Sequence, residues 1–260
     1  MPETEIPFTE SGKGIAVVLL HGYPFDKSMW SAQLHAIADA GFRAIAPDLR
    51  GLGENKSSGE VASMDDMARD VAALLNQLEV EQAVICGLSM GGYVAFEFMQ
   101  LFPARVLGLV LAGTRAPADN DQEKAGREQQ VQTMLRSGMV PISIATLPKL
   151  LAPRTLAEKP DVVKRVRAMI TTSDPKGAAA AQRGMAARRD YTDDLGKINV
   201  PTLIIVGRED SIRPIADAEL MHRGIRNSRL EIIEDAAHMT NMEQPEVFDE
   251  ALLTFLKELT

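Results

Sequence analysis

The pentapeptide Gly87-Leu88-Ser89-Met90-Gly91 restricts the fold of this chain more than any other segment. It follows an apolar run with β-branched residues, Gln82-Ala83-Val84-Ile85-Cys86, and it precedes a helix-like stretch that begins at Gly92. A serine flanked by glycines between a strand and a helix is typical of a very tight turn. The two glycines leave room for this turn because neither carries a Cβ atom. The sequence therefore predicts a strand, a sharp turn and a helix, with the Ser89 hydroxyl exposed at the tip.

A serine at such a turn needs an imidazole to accept its proton and a carboxylate to orient that imidazole. In enzymes that carry the serine on such a strand–turn–helix, the three residues follow along the chain in the order serine, acid, histidine. Of four histidines, His238 fits this order, since it follows a short alternating strand, Arg229–Ile233. It also precedes an amphipathic helix predicted from about Pro245 to Leu259. We therefore predict that His238 is the base.

The acid is predicted from the preceding strand. Residues 201–206 form a nearly continuous apolar run, as expected of a strand covered on both faces, and Gly207-Arg208-Glu209-Asp210 follows it. The end of such a strand lies at the edge of the sheet where ligands bind in open α/β folds. We choose Asp210 over Glu209 because aspartate is shorter and better fixed. Asp235 competes, but it lies only three residues before His238 and would have to fold back onto it.

Two backbone N–H groups are needed to hold the oxyanion that forms when a serine attacks a carbonyl. The predicted strand Ala16–Leu20 ends in a glycine turn, so the N–H of Tyr23 can point toward the serine. The N–H of Met90, next to the serine, supplies the second donor. His21 lies beside this turn, and we interpret it as a structural residue that bonds loop backbone.

These motifs recur in order along the chain. They are His21-Gly22-Tyr23-Pro24 with Trp30, Pro47–Gly53, Gly87–Gly92, Gly207–Asp210, and His238 followed by Glu243, Pro245 and Phe248. With them the chain resembles an α/β-hydrolase-fold enzyme over nearly its whole length. The resemblance implies an α/β fold, with a mostly parallel central sheet flanked by helices and an inserted helical cap. It also implies a catalytic triad of Ser89, Asp210 and His238.

Within this superfamily the chain is most similar to small carboxylesterases and to 3-oxoadipate enol-lactonase-like enzymes. Serine at position 89 argues against related haloalkane dehalogenases and epoxide hydrolases, which carry aspartate there. The resemblance therefore implies hydrolysis of a small carboxylic ester or lactone through an acyl-enzyme on Ser89. Two alternatives stay open: a cofactor-free haloperoxidase or perhydrolase activity, and a ligand sensor with little turnover.

The pattern of elements predicts one hydrolase core with an insertion. At 260 residues the chain favours a single core, predicted to comprise residues 1–114 and 191–260. From 115 to 190 the pattern changes to helices separated by prolines and glycines. We predict four there, at about 122–137, 141–151, 160–170 and 175–189. Few residues precede the strand at Ala16, so we expect a shortened sheet edge with one strand at about 5–8.

Composition and charge argue against a membrane protein, a nucleic-acid-binding protein and a metalloprotein. No window approaches 18 uninterrupted apolar residues and the N-terminus lacks a signal-like segment, so we expect a cytoplasmic protein without a membrane partner. Gly87–Gly92 lacks a P-loop lysine, which argues against a nucleotide-binding loop, and the net charge of −8 argues against nucleic acid. Carboxylate pairs such as Asp65-Asp66 and Asp193-Asp194 lack the histidines or cysteines of a transition-metal site, so we expect no metal and no cofactor.

Charge is unevenly distributed along the chain. Residues 115–190 hold 14 Lys and Arg against 8 Asp and Glu, although the whole chain is acidic. A basic cap could attract a carboxylate-bearing substrate, but solvated helix faces explain the surplus more simply. Arg115 follows the end of a predicted strand near the expected pocket, so it is a candidate substrate-binding residue. A structural ion pair at the base of the cap is an equally good interpretation of Arg115.

Overall fold

A computed structural model describes residues 6–56 and 59–259. Its centre is a seven-stranded sheet with the strand order β1-β3-β2-β4-β5-β6-β7. The strands are β1 (Phe8–Gly12), β2 (Ala16–Leu20), β3 (Arg43–Pro47), β4 (Ala83–Leu88), β5 (Val106–Ala112), β6 (Thr202–Gly207) and β7 (Ser228–Ile233). Only β1, at the edge, runs antiparallel to its neighbour, and all other neighbouring pairs are parallel. The predicted fold class, a mostly parallel α/β sheet, is confirmed.

Helices cover the sheet and connect its strands. Those outside the insertion are α1 (Ser31–Asp39), α2 (Met64–Gln77), α3 (Met90–Leu101), α9 (Ile215–Gly224), α10 (Thr240–Glu243) and α11 (Pro245–Lys257). Helix α1 packs against α11, and α2 packs against α3. Every residue of β2, β4 and β6 is buried, as expected of strands covered on both faces. The loops at the ends of these strands are therefore held in position by a rigid, buried sheet.

The N-terminal edge differs slightly from the prediction. One short strand precedes β2, as expected, but it spans Phe8–Gly12 and not 5–8. Residues 9–11 carry small or charged side chains on an exposed edge, so their hydrophobic pattern is weak even though they pair with β3. Glu5, the predicted start of this strand, lies outside the described residues.

The insertion between β5 and β6 holds five helices, one more than predicted. They are α4 (Asp121–Ser137), α5 (Val140–Leu150), α6 (Pro153–Glu158), α7 (Pro160–Thr172) and α8 (Pro175–Ala187). The extra helix, α6, has only six residues, of which Pro153 is the first, too few to show a helical period. Among residues 6–56 and 59–259, no helix has both the length and the apolar composition needed to cross a bilayer.

Helix α8 packs closely against the segment that follows β3. A Cβ added at Gly177 would lie 1.7 Å from the Gly51 carbonyl oxygen, and one at Gly184 equally close to the Ala62 oxygen. The Ala62 N–H donates to the carbonyl of Ala180, 3.0 Å away. Small residues on this face of α8 thus let the inserted helices rest directly on the backbone of the core.

Candidate active site

Ser89 lies at a strained turn between β4 and α3. Its backbone has φ 55° and ψ −112°, a conformation that residues other than glycine rarely adopt. The Ser89 N–H donates to the Ala112 carbonyl at 2.8 Å, and its carbonyl accepts from Thr114 Oγ1 at 2.9 Å. These bonds to β5 and the residues after it stabilise the turn. The structure thus has the strand, turn and helix that the pentapeptide predicts.

The glycines on either side of Ser89 are required by close backbone contacts. A Cβ at Gly87 would lie 2.2 Å from the carbonyl oxygen of Gly91. A Cβ at Gly91 would lie 2.1 Å from the carbonyl oxygen of Leu20. Real Cβ atoms do not approach backbone so closely, so any larger residue would force the turn apart. The spacing of the pentapeptide is therefore explained by packing around the serine.

His238 and Asp210 form a buried pair. His238 Nδ1 lies 2.7 Å from Asp210 Oδ2, and the two residues are 2% and 5% exposed. The other oxygen, Oδ1, accepts the N–H groups of Ile212 and Arg213, both at 2.8 Å. Since a carboxylate only accepts hydrogen bonds, Nδ1 of the imidazole carries the proton and Nε2 is left as an acceptor. That tautomer is the one a serine-activating base needs.

Neither competing acid contacts the imidazole. Glu209 is exposed, and Asp235 is half exposed and pairs with Arg154 at 2.7 Å on the surface. Asp235 also has φ 52°, so its backbone turns sharply just before His238. Of the three carboxylates considered from the sequence, the structure brings Asp210 to His238.

Ser89 and His238 open into one cavity of about 440 Å³. Tyr23 also lines it, from the turn after β2 in which the Phe25 N–H donates to the Gly22 carbonyl at 3.0 Å. Met90 is the first residue of α3, where a helix leaves N–H groups without acceptors inside the helix. Both residues predicted to bind the oxyanion therefore lie next to Ser89 or on the wall of its cavity.

His21 is completely buried and held by backbone on both sides of its ring. The Leu49 N–H donates to Nε2 at 2.9 Å, so the proton is on Nδ1, which donates to the Gly22 carbonyl at 2.9 Å. Burial lowers the pKa of this imidazole, which favours the neutral form. His21 thus has the structural position expected from the sequence and fixes the loop that carries Tyr23.

Arg115 does not line the cavity. Its guanidinium pairs with Asp119 at 2.7 Å and with Glu123 at 2.8 Å, and hydrogen bonds from Arg115 hold the pKa of the Glu123 carboxyl below its ordinary value. The geometry therefore corresponds to the structural ion pair and not to a direct substrate contact. The side chain points toward the acids at the start of α4, a direction that sequence position does not reveal.

Sequence reasoning missed several polar residues of this wall, three of which carry hydrogen bonds beside the site. Arg213 and Tyr93 line the cavity, and so does Arg127, which also bonds Gln182 at 2.7 Å. The available signals were weak: Tyr93 follows Ser89 by one helical turn, and Arg213 follows Asp210 by three residues.

Glu243 links the inserted helices to the loop of His238. It is fully buried, and its carboxylate accepts the Ala152 N–H at 2.6 Å and the Ala237 N–H at 2.8 Å. Ala152 immediately precedes α6, whereas Ala237 immediately precedes His238. Burial raises the pKa of Glu243, and the backbone hydrogen bonds offset this only in part.

We expect Glu243→Ala to lower the stability of the protein by at least about 2 kcal/mol, because two buried N–H groups lose their acceptor and a cavity remains. The midpoint of urea unfolding measures this loss. Glu250→Ala, on the exposed face of α11, is the matched control and should leave the midpoint unchanged. Equal midpoints for the two variants would show that Glu243 does not link the segments.

The sequence and the fold of this chain are similar to those of known hydrolases. A family model described as the alpha/beta hydrolase fold matches residues 15–245, and the chain belongs to this family. A thermophilic esterase from Thermogutta terrifontis, solved with malate bound, superposes with a TM-score of 0.96 at 41% identity, covering 98% of this chain and 93% of that one. The 3-oxoadipate enol-lactonase 2 of Acinetobacter baylyi is 29% identical over 242 residues, covering 93% of this chain and 88% of its own.

A non-heme haloperoxidase from Rhodococcus erythropolis is also similar, at 30% identity over 98% of this chain and 96% of its own length. The predicted membership of the α/β-hydrolase family, with esterases and enol-lactonases among its relatives, is confirmed. The protein is thus an α/β-hydrolase whose relatives include enzymes that act on ester bonds.

Proposed function

We propose that the protein is a serine hydrolase that cleaves a small carboxylic ester or lactone through an acyl-enzyme on Ser89. The observation that carries this proposal is the buried His238–Asp210 pair, 2.7 Å apart, whose imidazole lines the cavity into which Ser89 opens. A paired imidazole and a serine on a strained turn are the parts that nucleophilic acyl transfer requires. The esterase and enol-lactonase relatives support the same chemistry.

In the first half of the reaction, Ser89 Oγ attacks the carbonyl carbon while its proton passes to His238 Nε2. The N–H groups of Tyr23 and Met90 hold the oxyanion, and Asp210 stabilises the imidazolium. The carbon–oxygen bond then breaks, and the leaving oxygen takes the proton from His238. Water next attacks the acyl carbonyl carbon and gives a proton to His238 Nε2. The bond between the acyl carbon and Ser89 Oγ then breaks, His238 returns the proton to Ser89 Oγ, and the acid leaves. No cofactor enters these steps.

The helices α4 and α5 act as part of a cap over this site. Arg127 and Gln130 of α4, with Ile142 and Thr146 of α5, line the same cavity as Ser89. We therefore infer that the insertion between about 115 and 190 roofs the nucleophile, while 1–114 and 191–260 form the core. A roofed cavity favours small substrates over polypeptides or lipid aggregates.

A screen of the purified protein tests this function. Nitrophenyl esters of short and long acids, enol-lactones and peracid formation from acid and peroxide would be measured side by side. Rapid ester or lactone turnover supports the proposal. The haloperoxidase relatives make perhydrolysis the second candidate, and it would appear as efficient peracid formation with slow ester turnover. Slow single-turnover acylation would instead indicate a ligand sensor.

We expect specificity constants to be highest for acyl chains of about two to six carbons and to fall steeply beyond eight. The inserted helices α4 and α5 line this cavity of about 440 Å³, so a longer acyl chain would have to pass their side chains. The measurement is kcat/KM for a series of nitrophenyl esters from acetate to decanoate. Efficient hydrolysis of emulsified long-chain lipid, without preference for short esters, would contradict a closed cavity.

A further inference from the structure

The cavity contains a polar pair that the proposed mechanism does not use. Arg213 donates to the Tyr93 hydroxyl oxygen from Nε at 3.0 Å and from Nη2 at 2.6 Å. Tyr93 is completely buried by its neighbours, and both residues line the same cavity as Ser89. Removing a tyrosine hydroxyl and a guanidinium from water costs free energy. Their position beside the nucleophile therefore indicates a function for the pair.

Both residues are tied to the reactive groups. The backbone N–H of Arg213 donates to Asp210 Oδ1 at 2.8 Å, so the loop that fixes the acid also fixes this arginine. Tyr93 lies one turn along α3 from Ser89, and its N–H approaches the Ser89 carbonyl at 3.4 Å. The pair therefore stands at a constant position relative to the nucleophile, which is what recognition of a substrate group requires.

After the hydrogen bonds within this pair are formed, the remaining polar groups that can bind a ligand are all hydrogen-bond donors. The two N–H groups of Arg213 take both lone pairs of the Tyr93 oxygen, so the hydroxyl proton must be donated elsewhere. Among the described residues this hydroxyl has no acceptor. Arg213 uses a third N–H on the Ile212 carbonyl at 2.6 Å, and two of its five N–H groups remain. A ligand that fits such a site must accept hydrogen bonds.

The charge around Tyr93 also favours an anion. The charged groups around the pair are Arg115, Arg127, Arg188 and Arg213, with Asp119, Glu123, Asp210 and Asp217, and Lys149 also lines the cavity. Arg188 stacks on the Tyr93 ring at 4.0 Å and pairs with Asp119, whereas Arg213 forms no ion pair with any described carboxylate. Burial would raise the pKa of the Tyr93 hydroxyl, but the charges of Arg213, Arg188 and Arg127 outweigh it and lower this pKa.

We propose that Arg213 and Tyr93 form a carboxylate-binding subsite, so that the preferred substrate is an ester or lactone whose acyl part carries a second carboxylate. A guanidinium with free N–H groups beside a hydroxyl donor matches the two oxygens of a carboxylate. The contact of the Tyr93 N–H with the Ser89 carbonyl, and the cavity that both side chains share with Ser89, place the pair beside the nucleophile. This inference rests on the proposed function and names the substrate class of that same site.

The test compares two matched substrates that differ only in charge. Mono-nitrophenyl esters of succinate, glutarate and adipate are set against analogues in which the free carboxylate is a carboxamide. Because a charge-assisted hydrogen bond adds about tenfold to hundredfold in affinity, we expect kcat/KM to favour the carboxylate at least tenfold at the best chain length. A ratio near one at every chain length in the wild-type protein would overturn the proposal.

Substitutions of Arg213 and Tyr93 test whether these two residues cause the preference for carboxylate over carboxamide esters. Arg213→Gln should bring the ratio to about one, Arg213→Lys should keep part of it, and Tyr93→Phe should lower it severalfold. Arg208→Gln is the matched control, since Arg208 lies on the same loop but pairs with Glu234 on the surface. A preference that survives Arg213→Gln, or is lost equally in Arg208→Gln, would overturn the assignment.

The proposed function and the subsite can fail separately. Turnover of the carboxamide esters without a charge preference keeps the hydrolase and refutes the subsite. If no ester were turned over, calorimetric binding of glutarate against glutaramate to the wild-type protein would still test the subsite. At least tenfold tighter binding of glutarate, lost in Arg213→Gln, supports it, and equal binding refutes it.

Discussion

Replacement of Ser89 by alanine is expected to lower ester turnover by roughly 10⁴-fold or more, because residues of a triad act as a unit. The turn should survive, since the backbone bonds to Ala112 and Thr114 do not use the hydroxyl. The measurement is kcat/KM on nitrophenyl acetate, with circular dichroism and thermal unfolding to show that the fold is kept.

The control for this variant is Ser137→Ala, at the exposed end of α4, which should hydrolyse the ester at the normal rate. A serine-directed phosphonate should add its mass to the wild-type and Ser137→Ala proteins and not to Ser89→Ala. Activity of Ser89→Ala within about tenfold of the wild type would exclude the serine mechanism.

The second large effect is expected from Asp210→Asn, at about 10⁴-fold in the acylation rate. The asparagine oxygen can still accept from Ile212 and Arg213, so the loop keeps its shape. Its NH₂ group would then face His238 Nδ1 and require that nitrogen to accept a hydrogen bond. The proton would move to Nε2, and the imidazole could no longer take the proton of Ser89. Stopped-flow measurement of the nitrophenol burst reports the acylation rate directly.

Asp235→Asn is the matched control, because Asp235 lies on the His238 loop but contacts Arg154 at the surface. It should acylate at nearly the wild-type rate, and both variants should bind ester with similar KM. If Asp210→Asn were nearly silent and Asp235→Asn inactive, the acid would be Asp235, and the observed pair would be structural.

Local sequence predicts those parts of the site whose geometry depends on neighbouring residues in the chain. Gly87 and Gly91 are required because a tight turn brings their Cα atoms against backbone, so the pentapeptide indicates the turn by itself. Asp210 follows the buried apolar run of β6, and His238 follows β7, whose alternating pattern is visible in the sequence. Their roles in catalysis, like those of Tyr23 and Met90, stay predictions until the variants are measured.

Other features depend on contacts between distant segments. Tyr93 and Arg213 are 120 residues apart, and no local pattern shows that their side chains meet. Arg115 was selected for its place after a strand, but the direction of its side chain depends on the acids Asp119 and Glu123. The short helix α6 was missed because six residues give no period to detect.

The sequence by itself determined the fold class and the order of the strands along the chain, and it predicted which residues act as nucleophile, base and acid. These follow from backbone sterics and from the periodic burial of apolar residues, which act over short stretches. Only the tertiary structure decided which charges face the cavity and which pair with one another. Electrostatic and packing contacts join residues that are far apart in sequence. The proposed carboxylate-binding subsite of Arg213 and Tyr93 therefore forms only when the loop after β6, α3 and the inserted helices pack around one cavity.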